Sequence, residues 1–399
     1  MISEEENMKH PKKLSKLHYL DFYILIPYLI LCIVGILMVY SSSSYHLLDS
    51  ELGTASKAIK QTTYFAFSLV CMSFVYRINL TIFRKPKIMH FILILTFLTL
   101  IALPLIGTSV GGAKRWINLG VLLFQPSELV PLVLVLYLAA NLAKNDTLVP
   151  FSFKHHRNSL LISVFFMFLV ALQPNIAGAS MIFILVFVLF LSSGLSPWFM
   201  SLALIGFVVI KRLGTMLLLS LPTNWMPQKF SYLVTRFEVM QNPFIDPTGK
   251  GFQTSNAYYA MHNGGFFGRG LGNSIQKKGF LPAADTDFIF AICIEELGLL
   301  FSLGILFLVF SIVGRLFLLA IKSKSLYYSY LYIGCGMLLC LQVAVNVGSL
   351  LGYIPMTGLT FPFISYGGSS LLILSVTLGI ALNARGTEIR ESVWLGGMV

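Results

Sequence analysis

Long apolar runs separated by polar stretches of unequal length dominate the chain, near residues 19–40, 61–77, 89–106, 125–143, 159–173, 178–193, 197–220, 287–320, 326–351 and 366–384. A helix needs about 20 predominantly apolar residues to cross ~30 Å of hydrocarbon, and most of the runs come near or above that length. The first is too long for the core of a secretory signal and no small-residue cleavage site follows it, so it is expected to stay as a helix. The seventh is interrupted by Lys211 and Arg212, which leaves its end the least defined. The pattern predicts an all-α integral membrane protein with about ten transmembrane helices.

Composition removes the soluble alternative. Of 399 residues, 56% are hydrophobic and 11% charged, where a soluble domain carries about 25% charged; mean hydropathy is +0.81. Cys32, Cys71, Cys293, Cys335 and Cys340 all lie in apolar runs without metal-type spacing, and read as small core residues. The seven histidines show no ligand spacing either.

Charge sets the orientation. With the N-terminus inside, the inner segments collect Lys9, Lys12, Lys13 and Lys16; Arg77, Arg84, Lys85 and Lys87; Lys144, Lys154 and Arg157; Arg315, Lys322 and Lys324; and Arg385 and Arg390. The short outer loops hold only Lys57, Lys60, Lys114 and Arg115, as the positive-inside rule requires. The expected organisation is a cytoplasmic tail at 1–18, a polytopic membrane domain at 19–384 with a large extracellular loop at 221–286 between helices 7 and 8, and a cytoplasmic tail at 385–399. This topology and contact with anionic membrane lipids explain most of the net charge of +12; nucleic acid is not an expected partner.

On that topology four polar motifs reach the outer face: 111–129, 172–180, the long loop, and 355–370. The long loop stands out, since it is glycine-rich (Gly264, Gly265, Gly268, Gly270, Gly272) and carries Arg269, Lys277, Lys278, Asp285 and Asp287. Charges at a membrane boundary are costly unless they meet water, each other or a ligand. Glycine amides with Arg269, Lys277 and Lys278 would suit a pyrophosphate clamp, although loop charges are more often simply solvated. Asp287 precedes an apolar helix, so it reads either as a helix cap or as a general base towards a hydroxyl. Glu295 and Glu296 follow deeper in the run, where pairing with a neighbouring helix or basic residue suits them better than catalysis. Trp116, beside Lys114 and Arg115, is either an interfacial anchor or a stacking surface for a sugar. Glu128 is either a helix-start residue after Pro126 or a site residue. Asn175 fits a hydrogen bond at the rim, and the prolines, glycines and serines of 355–370, Ser365 and Ser369 among them, suit a cavity lining.

Together, MVYSSSS after the first run, GGAKRWINLG, FQPSEL, LPAADTDFIFAICIEELG and NVGSLLGYIPMTGLTFPFISYGGSSL resemble the SEDS family (shape, elongation, division and sporulation) over nearly the whole chain. NPF at 242–244, GLGNSIQK at 270–277 and TGLTFPFISYGGSS at 357–370 resemble its cell-division branch. The resemblance implies a peptidoglycan glycosyltransferase that polymerises lipid II into β-1,4 strands on the outer face of the cytoplasmic membrane, at the division septum. It also implies a class B penicillin-binding protein and other divisome proteins as partners. Asp287 matches the family's essential aspartate and Trp116 its important tryptophan; Lys277 with Lys114 or Arg115 would hold pyrophosphate. A divalent cation, Mg or Mn, would suit that leaving group, and no organic cofactor is expected. The chain departs from the family pattern at Pro131 (usually Lys), Asn175 (usually Asp), Ala283 (usually Glu) and Asp285 (usually His), so it is expected to rely on Asp285 or on loop lysines for some of the lost polar contacts. Two other classes compete: a lipid II flippase or transporter, which Glu128, Glu295, Glu296 and broken helices would also suit, and a non-catalytic division scaffold.

Overall fold

The computed structural model describes residues 16–47, 53–110, 113–120, 122–144, 153–173, 175–194, 197–220 and 228–396. Lys9, Lys12 and Lys13, the first part of the long loop, and the glycines at 111 and 112 lie outside the described residues.

Each apolar run becomes a helix. They are α1 Phe22–Ser44, α2 Ser56–Arg77, α3 Pro86–Ile106, α4 Pro126–Leu142, α5 Phe153–Leu172, α6 Ile176–Ser192 and α7 Pro197–Ser220; two helices of the long loop, α8 Gln228–Gln241 and α9 Phe252–Gly264; and α10 Ile289–Lys322, α11 Leu326–Leu350 and α12 Gly368–Gly396. Among the described residues, α1, α3, α10, α11 and α12 are long and apolar enough to cross a membrane, and α4, α5 and α6 are shorter apolar helices. The starts follow local chemistry. Asp21 caps α1, its Oδ1 accepting from the Tyr23 amide at 3.1 Å. Pro86 and Pro126 open α3 and α4 at positions where a missing amide proton costs nothing. α7 runs unbroken through Lys211 and Arg212.

Two polar stretches hold structure that the apolar runs do not predict. The loop before α4 carries a three-stranded antiparallel sheet, β1 Thr108–Val110, β2 Ala113–Asn118 and β3 Leu123–Phe124, in the order β1-β2-β3. Trp116 sits on β2 opposite Thr108. Neighbours on a strand point to opposite faces, so Lys114 and Trp116 share one face and Arg115 takes the other. The expected loop at 221–286 is also largely structured, since α8 and α9 occupy much of it.

α4 is buried almost all round over Val130–Ala140, as a helix at the centre of a bundle should be. Leu134 and Leu138 pack with Ile182 and Leu185 of α6 and Leu331 and Leu339 of α11 in the core. The outer helices instead expose Phe91, Leu95 and Leu98 of α3 and Phe301, Phe307 and Ile321 of α10. An apolar perimeter of that extent fits lipid.

Contacts sort the helix ends into two groups. At one end, Asp21 meets Arg315 at 2.8 Å and Lys16 hydrogen-bonds Asn383. At the other, Lys57 of α2 meets Asp285, Asn346 of α11 meets the Asp287 carbonyl, Gln125 before α4 meets Ser369 at the start of α12, and Ser41 of α1 meets Glu296 of α10.

Candidate active site

The turn before α10 is held from three sides. From α2, the Lys57 ammonium lies 2.5 Å from Asp285 Oδ2, while Gln61 donates to the Ser365 carbonyl at 3.1 Å. From the final loop, the Ser365 hydroxyl donates to the Thr286 carbonyl at 2.6 Å and accepts from the Phe361 amide at 2.8 Å. The Tyr366 amide donates to the Asp285 carbonyl at 2.8 Å. From α11, Asn346 Nδ2 donates to the Asp287 carbonyl at 3.0 Å and to the Leu359 carbonyl at 2.7 Å. Phe290 and Phe361 stack at 4.9 Å beneath. Backbone position in this turn is therefore fixed by side chains from elements far apart in sequence.

Asp287 is treated differently from every other acid nearby. Residue Phe288, not Asp287, occupies the helix-cap position of α10, and no side chain caps there, so the capping explanation of Asp287 fails. Among the described residues its carboxylate accepts no hydrogen bond; it faces Gly358 of the final loop. Burial pushes its pKa up to about 6; the Arg236 guanidinium works against that rise and the Asp285 carboxylate adds to it. Arg236, on α8, donates to the Met356 carbonyl at 2.5 Å, which ties α8 to the same final loop.

The glycine-rich stretch does something other than cradle phosphate. α10 is broken at Gly298, whose φ of 84° and ψ of 167° only glycine adopts easily. A break leaves carbonyls before it and amides after it without helical partners, and in a membrane such groups must be satisfied by protein. The loop supplies them: Arg269 and Gly270 amides donate to the Glu295 and Glu296 carbonyls at 2.9 Å, and the Leu299 and Leu300 amides donate to the Gly265 and Phe266 carbonyls at 3.0 and 3.2 Å. Gly268, at φ 78°, lies so close to the Glu296 carbonyl that a Cβ would collide with it.

Of the glycine amides expected to face an anion, those of Gly268 and Gly270 donate to the Gly264 and Glu296 carbonyls, and the next amides along the loop hold a carboxylate. Ile275 and Gln276 donate to the Glu295 carboxylate at 3.1 and 3.3 Å, and the Ser274 hydroxyl donates to it as well. Lys277 is buried against Glu296, with Nζ 2.8 Å from Oε1 and 2.9 Å from the Ser41 hydroxyl, which itself donates to Glu296 at 2.6 Å. The two side chains are 4% and 0% exposed. Lys277 is thus removed from the expected pyrophosphate clamp, while the expectation that Glu296 pairs with a basic residue holds. Lys278 is exposed and lines, with Lys277, Ser41 and Tyr40, a cavity of about 320 Å³ against α1 that includes no residue of the Asp287 turn. Arg269 is exposed at the loop surface.

Near α4, the Gln125 amide donates to the Ser369 hydroxyl at 3.1 Å, which also hydrogen-bonds Glu128. Glu128 Oε2 is buried without a partner on a cavity of about 30 Å³ that Pro131 and Asn175 also line, room for about one or two waters. Asn175 caps α6, accepting from the Gly178 amide at 3.0 Å. The Trp116 sheet reaches the site through its turn: Leu122 and Tyr64 flank Gly368, and Tyr64 lies 6.2 Å from the Tyr366 ring. Ser41, Lys57, Gln61, Arg236 and Asn346 were missed as site residues. Ser41, in the serine run MVYSSSS, and Asn346, the first residue of NVGSLLGY, carried a signal, both being within motifs of the resemblance.

A polytopic helical bundle that holds, in a turn fixed from three sides, a carboxylate with no hydrogen-bond donor among the described residues offers a place for acid–base chemistry at one end. The chain belongs to the family described as cell cycle protein, FTSW_RODA_SPOVE, whose model matches residues 22–388. It is similar to the probable peptidoglycan glycosyltransferase FtsW of Enterococcus hirae, 40% identical over 93% of this chain and 94% of that one. It is also similar to the stage V sporulation protein E of Bacillus subtilis, 33% identical over 91% and 96%. Among solved structures, it resembles a chain of a peptidoglycan synthase complex described by its structural coordination of polymerization and crosslinking (25% identical, TM-score 0.72, covering 92% of this chain and 98% of that one). The rod shape determining protein RodA of Thermus thermophilus shares the fold (23% identical, TM-score 0.64, 92% and 97%).

Proposed function

We infer that this chain is a peptidoglycan glycosyltransferase that polymerises lipid II into β-1,4 glycan strands, with Asp287 as its general base. The observation that carries the assignment of the base is the Asp287 carboxylate: held in a rigid turn, unpaired by hydrogen bonds among the described residues, and with its pKa raised to about 6. A base works best when its pKa lies near the working pH. The 4-hydroxyl of the acceptor sugar attacks the anomeric carbon of the donor; its proton passes to Asp287 as the new C–O bond forms. The bond from that carbon to the lipid pyrophosphate breaks with inversion, so an α linkage becomes β, and the pyrophosphate departs with the electron pair.

Charge developing on the leaving group calls for preorganised cations. Arg236, whose charge acts on Asp287, and Lys57 at Asp285 are nearest the base; Lys114, Arg269 and Lys278 are exposed and able to meet pyrophosphate or lipid phosphate. Trp116 is proposed to stack on a sugar ring. Ser365 and Ser369 act by positioning the final loop and the start of α4. The described residues hold no group of three or more His, Cys, Asp or Glu placed to bind a metal ion. A divalent cation therefore enters this proposal only as a companion of the pyrophosphate, and no step is routed through it.

Asp285 and Asp287 sit at the bundle end away from the basic clusters, which supports an outward-facing site on the cytoplasmic membrane by the positive-inside rule. Resemblance to FtsW supports use at the septum beside a class B penicillin-binding protein and other divisome proteins. The test is polymer formation from purified lipid II by this protein with its cognate penicillin-binding protein, comparing wild type with Asp287→Ala. Polymer from wild type alone is expected. Polymer from both would remove Asp287 as base, and polymer from neither, with both proteins folded, would turn the reading to a transporter or scaffold.

A further inference from the structure

At the end of the bundle away from Asp287, α3, α4 and α5 enclose a cavity of about 500 Å³, within the size range of small-molecule sites. Arg84, His90, Lys144 and His156 line it, and no carboxylate does. The Arg84 guanidinium is held 5.3 Å over the Tyr327 ring, and Lys144 Nζ donates to Asn141 Oδ1 at 2.9 Å. Neither makes an ion pair among the described residues. Tyr137, His156 and Ser159 are buried and form its floor, while Arg84, His90 and Lys144 are exposed and stand at its rim. Several cations around one opening, with no carboxylate among them, attract an anion.

The rest of the wall has another character. Met89, Leu161 and Ile162 are apolar, and Leu161 opens onto the exposed apolar perimeter of α5 beside Leu160 and Val164. A soluble phosphate would use only the basic half of such a space, whereas a phospholipid would use both. The sequence pattern accounts for Arg84 and Lys144 as orientation anchors; it does not account for their convergence on one recess.

We propose that this cavity binds an anionic phospholipid, with the head-group phosphate between Arg84 and Lys144 and an acyl chain along Leu161 and Ile162. The site is separate from the Asp287 turn and does not depend on the glycosyltransferase reading. The test is native mass spectrometry of the full chain released from phosphatidylglycerol-containing membranes, counting retained phosphatidylglycerol. Arg84→Gln/Lys144→Gln should reduce retention about tenfold or more, while Lys322→Gln/Lys324→Gln, which removes two charges at the same end, should not. Unchanged retention in the first variant, or equal loss in the second, would overturn the proposal. Lys144→Gln alone changes an exposed side chain and should lower retention several-fold in a protein that folds normally; no change there would also count against the site. Glycerol 1-phosphate and inorganic phosphate, added as soluble competitors, should not displace the lipid at concentrations near its own. Displacement at parity would show the ligand to be a soluble phosphate compound and sink the lipid assignment.

Discussion

Asp287 lies in the turn just before α10 and Glu296 within that helix ahead of its break at Gly298, and the structure uses the two acids in opposite ways. Glu296 is 0% exposed and saturated by Lys277, Ser41 and the Ser274 amide. Asp287 is partly buried, meets no hydrogen-bond donor among the described residues, and keeps a pKa of about 6 because desolvation outweighs the Arg236 charge. The lesson is that a buried acid with its partners in place is architecture, while one held rigid but left unsatisfied is available for chemistry.

The largest effect expected from breaking this contrast is on turnover. Asp287→Asn should lower polymerisation by about 10²- to 10⁴-fold, the usual contribution of a positioned general base, with the protein still folded. In the wild type the base must be ionised, so the rate should climb with pH through about 6 and level off above it. A flat profile across pH 5–8 would mean that another group takes the proton.

On the other side of the comparison, Lys277→Ala should leave Glu296 buried and uncompensated, costing about 3–5 kcal/mol of stability. Thermal unfolding in detergent would show it as a large fall in midpoint or as failure to accumulate. The double change Lys277→Met/Glu296→Gln should recover much of that loss, because no charge is then stranded. Were Lys277→Ala to fold normally and lose only activity, Lys277 would return to the substrate clamp.

A smaller effect is expected at Gly268. An alanine there would have to adopt φ 78° and displace the Glu296 carbonyl, a strain of about 1–3 kcal/mol. The same unfolding measurement should show an intermediate loss, and the fall should be greater than for Gly272→Ala, where a Cβ meets nothing within 4 Å although the φ is also positive. Equal losses at the two positions would mean that backbone conformation matters and the packing against the broken helix does not.

Much of this was legible in the chain. Ten apolar runs became ten helices because helix formation inside lipid is dictated by length and hydrophobicity alone. Asp287 was legible through its place before an apolar run. The glycine loop was misread, because glycines that receive a phosphate and glycines that receive a broken helix look alike until the partner is known. Lys277 and Lys278 are adjacent and chemically identical, and only the fold shows that one is buried on Glu296 and the other is exposed. The Trp116 sheet was hidden by its short strands, three, six and two residues long, which leave no long alternation to read. Arg236 was unreadable because nothing local in its helix indicates that its charge would act on an aspartate in the turn before α10.

The smallest predicted effect sharpens the contrast most. The folded-state pKa of Asp287 lies above its ordinary value of 3.8, so the folded protein holds that proton more tightly than the unfolded chain. Its contribution to stability is therefore fully present below pH ~4 and is lost as pH rises through about 6. At pH 7 the wild type carries an ionised carboxylate in a place that disfavours it, and Asp287→Asn should be more stable than wild type by about 1 kcal/mol for a carboxyl still partly in contact with solvent. The advantage should vanish near pH 4, where both proteins present a neutral group. Thermal midpoints of the two at pH 4 and pH 7 would decide it. A variant that is inactive yet no less stable, beside a Lys277 variant that is unstable, would separate the acid kept for chemistry from the acid kept for the fold. Destabilisation by Asp287→Asn at pH 7 would instead mean that the carboxylate makes a supporting contact, and that its raised pKa reflects packing rather than function.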